Sequence, residues 1–478
     1  MHAKTEKFNF ALNFLLYIPV KLIPACSTVA LIAYLYRVLP EGHYTNYSVA
    51  LTCSIMLVQL GTGWVGNSFI YFLTLADDKD ALLANSLRLL IQITPFVIFI
   101  AAIVTSFFGA EDSFWIVVFL SASQIFYFFF SSVLQARFRI REQLWITCLQ
   151  VTLQFSVIFL AFKYISVDYR SALVALAIGY GFGGFYAYIK LRPIVLAPVS
   201  QTLFKKDVRK LYDYGVALIP WMLGVLVLAN ADKLLVSYLD LQLSDSYIST
   251  KDLFVGASGL ISMPLLMLIH PVIINSFNIN RRFDYIIISE SLRYLIVCFS
   301  LLWVFLHVLG FELFFFFAEK KSTVSNATLF FSYLSVFFAC ASIYLQKRFE
   351  VHRKWSVLAW YSVLSALFSI ALVAIGSFWF GILGASAGAA VGQAAYCCIA
   401  SRGLMKRTKF IKSTWRLFLL IGSAYAILFQ ARSFLGATVG QSPNWYGIGA
   451  WISVFSIVAG SFVIFFVRWD RFNIGKNN

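Results

Sequence analysis

The chain has 478 residues, of which 60% are hydrophobic and only 12% charged, and its mean hydropathy is +0.81. Soluble domains carry roughly 25% charged residues, so this composition excludes a water-soluble globular protein. The formal net charge of +17 would suit nucleic acid, but most of the cations fall in alternate gaps between apolar stretches, which is a membrane-topology pattern.

A membrane-spanning helix needs about 20 apolar residues. Fourteen segments qualify, at 11–36, 45–73, 85–109, 114–134, 144–166, 171–191, 211–238, 249–276, 289–312, 324–346, 356–377, 382–404, 417–434 and 446–468. Their length excludes a barrel, whose strands need only about 9–11 alternating residues. The connections are short and leave no soluble domain over. Met1 to Phe10 is polar, and the apolar stretch after it is too long for a signal-peptide core and has no small-residue cleavage site, so no signal peptide is predicted.

In the first span, Lys21 lies about ten residues in, which at 1.5 Å per residue is roughly 15 Å deep, near the midplane. Pro19 and Pro24 flank it and free some carbonyls. No acid lies between Glu6 and Glu41, so no carboxylate on that helix can pair with it. Lys21 is left with a wet cavity, a partner on another helix, or an anionic substrate. In the second span, Gly61-Thr62-Gly63-Trp64-Val65-Gly66 matches GxGxxG literally, but a dinucleotide site needs a preceding strand and this run sits in a spanning helix. Asp77-Asp78-Lys79-Asp80 then reads as a solvated loop. Arg88 is about one turn inside the surface, within snorkelling reach. In the sixth span, Gly179 and Gly183 share a face and allow close helix packing.

The seventh span carries Asn230, Asp232 and Lys233, and the eighth opens with Lys251-Asp252. Adjacent helical residues diverge by about 100°, so Asp232 and Lys233 need different partners. Pairing across the turn and contact with substrate are both open to these residues. His270 and His307 also lie in spans, as satisfied interior histidines or as a proton relay. Glu290 and Arg293 form an i,i+3 pair near the start of the ninth span. Gly384, Gly388 and Gly392 line one face of the twelfth. The seven cysteines all fall in spans and none is spaced as CxxC, so they read as packing residues. GxxxxGK[ST] and HExxH are absent, and no metal or cofactor site is readable.

With the N-terminus placed in the cytoplasm, 27 lysines and arginines fall on the cytoplasmic side and 6 outside, leaving Lys21, Arg88, Lys233, Lys251 and Arg293 within spans or at their ends. This asymmetry predicts both termini inside and an even number of spans. Tyr34-Leu35, Leu39, Glu41 and Thr45 recur at an offset of 204 as Tyr238-Leu239, Leu243, Asp245 and Ser249. With six spans on each side, this predicts an all-α polytopic membrane protein built as a parallel repeat. Residues 1–200 form an N-terminal six-helix lobe, 201–405 a C-terminal six-helix lobe around a shared central cavity, and 406–478 two added helices with a cytoplasmic tail.

The run Tyr34-Leu-Tyr-Arg-Val-Leu-Pro-Glu-Gly-His-Tyr-Thr-Asn-Tyr resembles the R-x-L-G-P-E-x-Y-G-x-Y turn of Wzx-type O-antigen and polysaccharide flippases. These belong to the polysaccharide-transporter branch of the multidrug/oligosaccharidyl-lipid/polysaccharide exporter superfamily. Asp232-Lys233, Pro264, Pro271 and Gly381-Ile-Leu-Gly-Ala-Ser-Ala-Gly add to the resemblance, while Gly42-His43 and Asn46 depart from it. The resemblance implies alternating access in the bacterial inner membrane. It implies a cargo of undecaprenyl diphosphate bearing an oligosaccharide, moved to the periplasmic leaflet for O-antigen, lipopolysaccharide or exopolysaccharide assembly. It also implies membrane lipids and possible polymerase and chain-length-regulator proteins as partners, no nucleic acid, no cofactor and no catalysis. The expected substrate-binding residues are Lys21, Arg88, Lys233, Lys251 and Arg293, with Asp232 or His270 as candidates for ion coupling. A multidrug/cation antiporter is the first alternative, and carboxylates rather than a lysine would suit its cavity. A membrane-bound glycosyltransferase or polymerase is the second.

Overall fold

The computed structural model of the protein describes residues 10–73, 76, 78–107, 113–195, 201–239, 241, 243–279, 283–308 and 324–402. Among the described residues every regular element is a helix. The chain divides into two compact units, Met1–Leu268 with Thr323–Ala400, and Ile269–Ser322 with Ser401–Asn478. In the first unit α1 (Phe10–Val38) contains Pro19 and Pro24. It is followed by α2 (His43–Leu73), α3 (Lys79–Phe107), α4 (Phe114–Ala136), α5 (Ile140–Tyr164), α6 (Tyr169–Val195), α7 (Gln201–Gly215), α8 (Ile219–Tyr238) and the first part of α9 (Ser244–Ile279). The second unit holds the end of α9 and α10 (Phe283–Val308). The first unit resumes with α11 (Asn326–Val351) and α12 (Trp355–Ala400).

Eight described helical stretches are long and apolar enough to cross a membrane: α2, most of α3, α4, α5, α6, α7 running into α8, α11 and α12. The predicted spans 417–434 and 446–468 lie outside the described residues. The two predicted spans 356–377 and 382–404 merge into α12, which breaks at Gly381 with φ 56° and ψ −137°. A side chain rarely adopts that conformation, whereas glycine does so freely. Beyond the break the chain folds back on itself. A Cβ on Gly388 would stand 2.7 Å from the Val373 nitrogen, and Gly376 faces Gly384 with no room for a side chain on either. The small-residue stripe read from sequence is therefore the seam of a helical hairpin.

Within the first unit α6 packs along α4 and α5, α5 along α1, and α12 along both α8 and α11. α2 lies against α4, α6 and α8. Its middle is a π-helical segment, Gln59–Gly63, so the literal GxGxxG match is helical throughout and has no strand before it. The glycines serve close approach: a Cβ on Gly63 would meet the Met222 side chain of α8 at 2.7 Å. π-helical turns interrupt the i→i−4 ladder and recur at sites that move or bind.

Contacts define two ends of this unit. At one, His43 of α2 lies 3.2 Å from Asp168 before α6, and Ser113 lies 2.8 Å from Tyr169. At the other, Arg137 of α4 pairs with Asp80 of α3 at 2.7 Å, and Asn85 of α3 donates to Asp207 of α7 at 2.9 Å. α7 buries Leu211 and Gly215 against Trp64 and Ser68 and exposes Arg209 and Tyr212. The turns before α2 and α9 share a left-handed residue, Gly42 (φ 80°) and Leu243 (φ 66°). These stand 201 positions apart, three fewer than the 204 of the sequence repeat, because the turn hydrogen bonds match Pro40–His43 to Leu241–Ser244 and Gly42–Asn46 to Leu243–Tyr247.

Candidate functional site

The charged residues of the seventh and eighth predicted spans come together where α8 ends and α9 begins. Lys251 of α9 pairs with Asp232 of α8, and their side chains are 2% and 0% exposed. Lys233 of α8 pairs with Asp252 of α9 at 2.5 Å, at 7% and 15% exposure. The neighbours diverge around their helices, so two pairs form instead of one cluster. Each ion has further partners. Lys251 Nζ donates to the Ala229 carbonyl at 3.0 Å, and the Tyr247 hydroxyl donates to Asp232. Such satisfaction is what allows an ion pair to persist away from water.

The second pair reaches across to α2. Asp252 accepts from the Ser48 hydroxyl at 2.5 Å and from the Tyr44 hydroxyl at 3.2 Å, and Lys233 Nζ donates to Thr52 Oγ1 at 3.4 Å. Asp245 at the start of α9 accepts from the Gly42 amide at 2.5 Å and from the Thr45 amide and hydroxyl at 2.8 and 2.5 Å. Gly42 has no side chain to cap α2, and Asp245 caps it from about 200 residues away. A carboxylate there satisfies orphan amides and complements the positive end of the helix dipole.

The other expected site residues fall on α1, α3, α9 and α10. Arg88 is exposed on α3. Arg293 pairs with Glu290 on α10 in the second unit. Lys21 lies in α1 between its two prolines and His270 lies in α9; the side chains of both are outside the described residues. Among the described residues no cluster of three or more His, Cys, Asp or Glu could hold a metal. Sequence reasoning missed Asp245 and the α2 donors. Tyr44, Ser48 and Thr52 recur every four residues, a polar stripe down one face of an otherwise apolar span, and that spacing was the available signal.

Solved structures of membrane transporters share this helical fold. A structure titled lipid II flippase MurJ, in an inward closed conformation, matches with a TM-score of 0.65 at 14% identity, over 96% of this chain and all of that one. An inward-facing multidrug resistance MATE family transporter of the MOP superfamily matches with a TM-score of 0.54 at 13% identity, over 81% of this chain and 96% of that one. A point mutant of the Vibrio cholerae MATE transporter VcmN matches with a TM-score of 0.56 at 15% identity, over 82% and 94%. No protein-family model and no curated protein matches the chain. At these identities the fold is what is shared, a MOP-type transporter fold.

Proposed function

We propose that the protein is a flippase that carries undecaprenyl-diphosphate-linked oligosaccharide from the cytoplasmic to the periplasmic leaflet by alternating access. One observation carries the choice of a lipid cargo over a drug. The lipid flippase fold accounts for 96% of this chain, whereas the two multidrug transporters account for 81% and 82%. In this proposal two six-helix lobes enclose the cavity, and the apolar segments at 417–434 and 446–468 complete fourteen helices. Polymerase and chain-length-regulator proteins would receive the product.

A diphosphate crosses hydrocarbon only if cations meet it. Lys21 supplies one at mid-depth from α1. Lys233 and Lys251 are already paired, so an anion reaches them only by exchange with Asp252 or Asp232. Lys233 is the more reachable of the two, because Asp252 is 15% exposed while Asp232 is fully buried. Arg88 and Arg293 would meet the headgroup nearer the cytoplasmic surface, and Asp232 or His270 would carry a coupled proton.

Deletion of the gene tests this. Oligosaccharide is expected to accumulate on its lipid at the cytoplasmic leaflet and to vanish from the cell surface, with drug tolerance unchanged. Restoring the chain as Lys21→Ala should fail to rescue the glycan although the protein accumulates, and Lys21→Arg should rescue part of it. Unchanged surface glycan with lost drug tolerance would transfer the protein to the multidrug exporters.

A further inference from the structure

The ionic node is one of two chemically different attachments of α2, to α8 and α9 at one end and to α7 and the start of α12 at the other. At the α1–α2 turn, Asp245 and Asp252 of α9 hold Gly42, Thr45, Tyr44 and Ser48. At the far end of α2, Tyr71 stacks on Tyr214 of α7 with ring centroids 4.6 Å apart and planes 10° off parallel. Arg353, in the turn before α12, sits over the same Tyr71 ring at 5.2 Å. Trp355 of α12 completes the stack edge-on to Tyr214 at 5.8 Å. Tyr71 is thus held by two protein groups, a ring and a cation. The π-helical segment lies between the two attachments, against Met222 of α8.

We infer that these are two clamps on one strut, an ionic clamp and an aromatic clamp, that the structure shows both shut, and that transport opens them one at a time about the π-helical segment. The chemistry fits that role. Carboxylate–hydroxyl and carboxylate–amide contacts can be exchanged for water as an end opens, and at the opposite boundary the Arg353 guanidinium can leave the Tyr71 ring for water while the stacked rings part at the cost of exposing their faces. Because the two chemistries differ, each end can be released without releasing the other. This rests on the alternating access proposed above, but not on the cargo.

The test is double electron–electron resonance on full-length protein in lipid nanodiscs, starting from a variant lacking the seven native cysteines. One spin-label pair, Glu41→Cys with Leu239→Cys, spans the ionic end. A second, Lys79→Cys with Lys354→Cys, spans the aromatic end. All four positions are exposed and none belongs to a clamp contact named above. Asp245→Asn with Asp252→Asn should add a longer distance at the first pair and leave the second unchanged. Tyr214→Ala with Arg353→Ala should do the reverse. If the neutralised variant does not fold, Thr45→Val with Ser48→Ala removes two of the hydroxyl contacts while keeping every charge paired, and should give the same shift at smaller amplitude. A single unchanged distance at both ends, or both ends moving together in either variant, overturns the two clamps. Neither distance depends on what is carried, so a failure of the glycan assay would count against the cargo alone.

Discussion

Asp232 has no solvent exposure and three partners to lose: the Lys251 ammonium directly, the Tyr247 hydroxyl, and through Lys251 the Ala229 carbonyl. Removing one member of such a pair leaves an uncompensated buried charge, at a cost of about 3–5 kcal/mol, whereas replacing both with apolar groups of similar volume is often neutral. Asp232→Ala is therefore expected to lower the thermal midpoint in detergent strongly, and Asp232→Leu with Lys251→Met to recover most of the loss. Equal midpoints for the single and double variants would mean that the pair contributes packing alone. The sequence alone already required that Asp232 and Lys233 point to different partners, and it placed Lys251-Asp252 one turn of chain away. It did not disclose that Asp252 also serves two hydroxyls of α2. A contact between helices about 200 residues apart leaves no periodic trace beyond one polar face, and that face resembles ordinary helix packing.

At the level of elements, the predicted spans correspond to helices wherever the residues are described, since apolar length is a property of the local chain. Three features needed tertiary context. The break at Gly381 was legible as a gap between spans, but not the hairpin that follows it. The π-helical turn in α2 carries no compositional mark. α7 divides in the sequence reading, its polar residues 201–210 in a connection and the rest at the start of the seventh span, and it packs Leu211 and Gly215 against α2. The hairpin seam gives a sharp expectation. A side chain on Gly388 meets the Leu372 carbonyl group at 2.8 Å and the Val373 nitrogen at 2.7 Å, and backbone has little freedom to yield. Gly388→Leu should separate the arms of α12 and destabilise by at least the ~1–3 kcal/mol of an overpacked core. Gly259→Ala on α9 meets nothing within 4 Å and should be neutral or slightly stabilising, because alanine is the better helix former. Thermal midpoints of the two variants, read side by side, separate a seam from a chance run of small residues.

On the scale of the first unit, the cations sort by end. The end marked by Asp80 and Arg137 also holds Arg139 and Arg141 at the start of α5, Arg209 and Lys210 on α7, and Arg353 and Lys354 before α12. The end marked by His43 and Asp168 holds Arg37, Lys163 and Arg170. Lys and Arg are retained on the cytoplasmic side during insertion, so this asymmetry is a topology signal. The positive-inside pattern predicts an orientation with the ionic clamp outside and the aromatic clamp inside. Single cysteines at Glu41 and Ser166, both exposed at the ionic end, are expected to react with a membrane-impermeant thiol reagent added to intact spheroplasts. Cysteines at Arg141 and Lys354, exposed at the opposite end, should react only after the membrane is opened. The reverse pattern would turn the carrier over, put the aromatic clamp on the outside, and require the cargo to enter past Asp245 and Asp252.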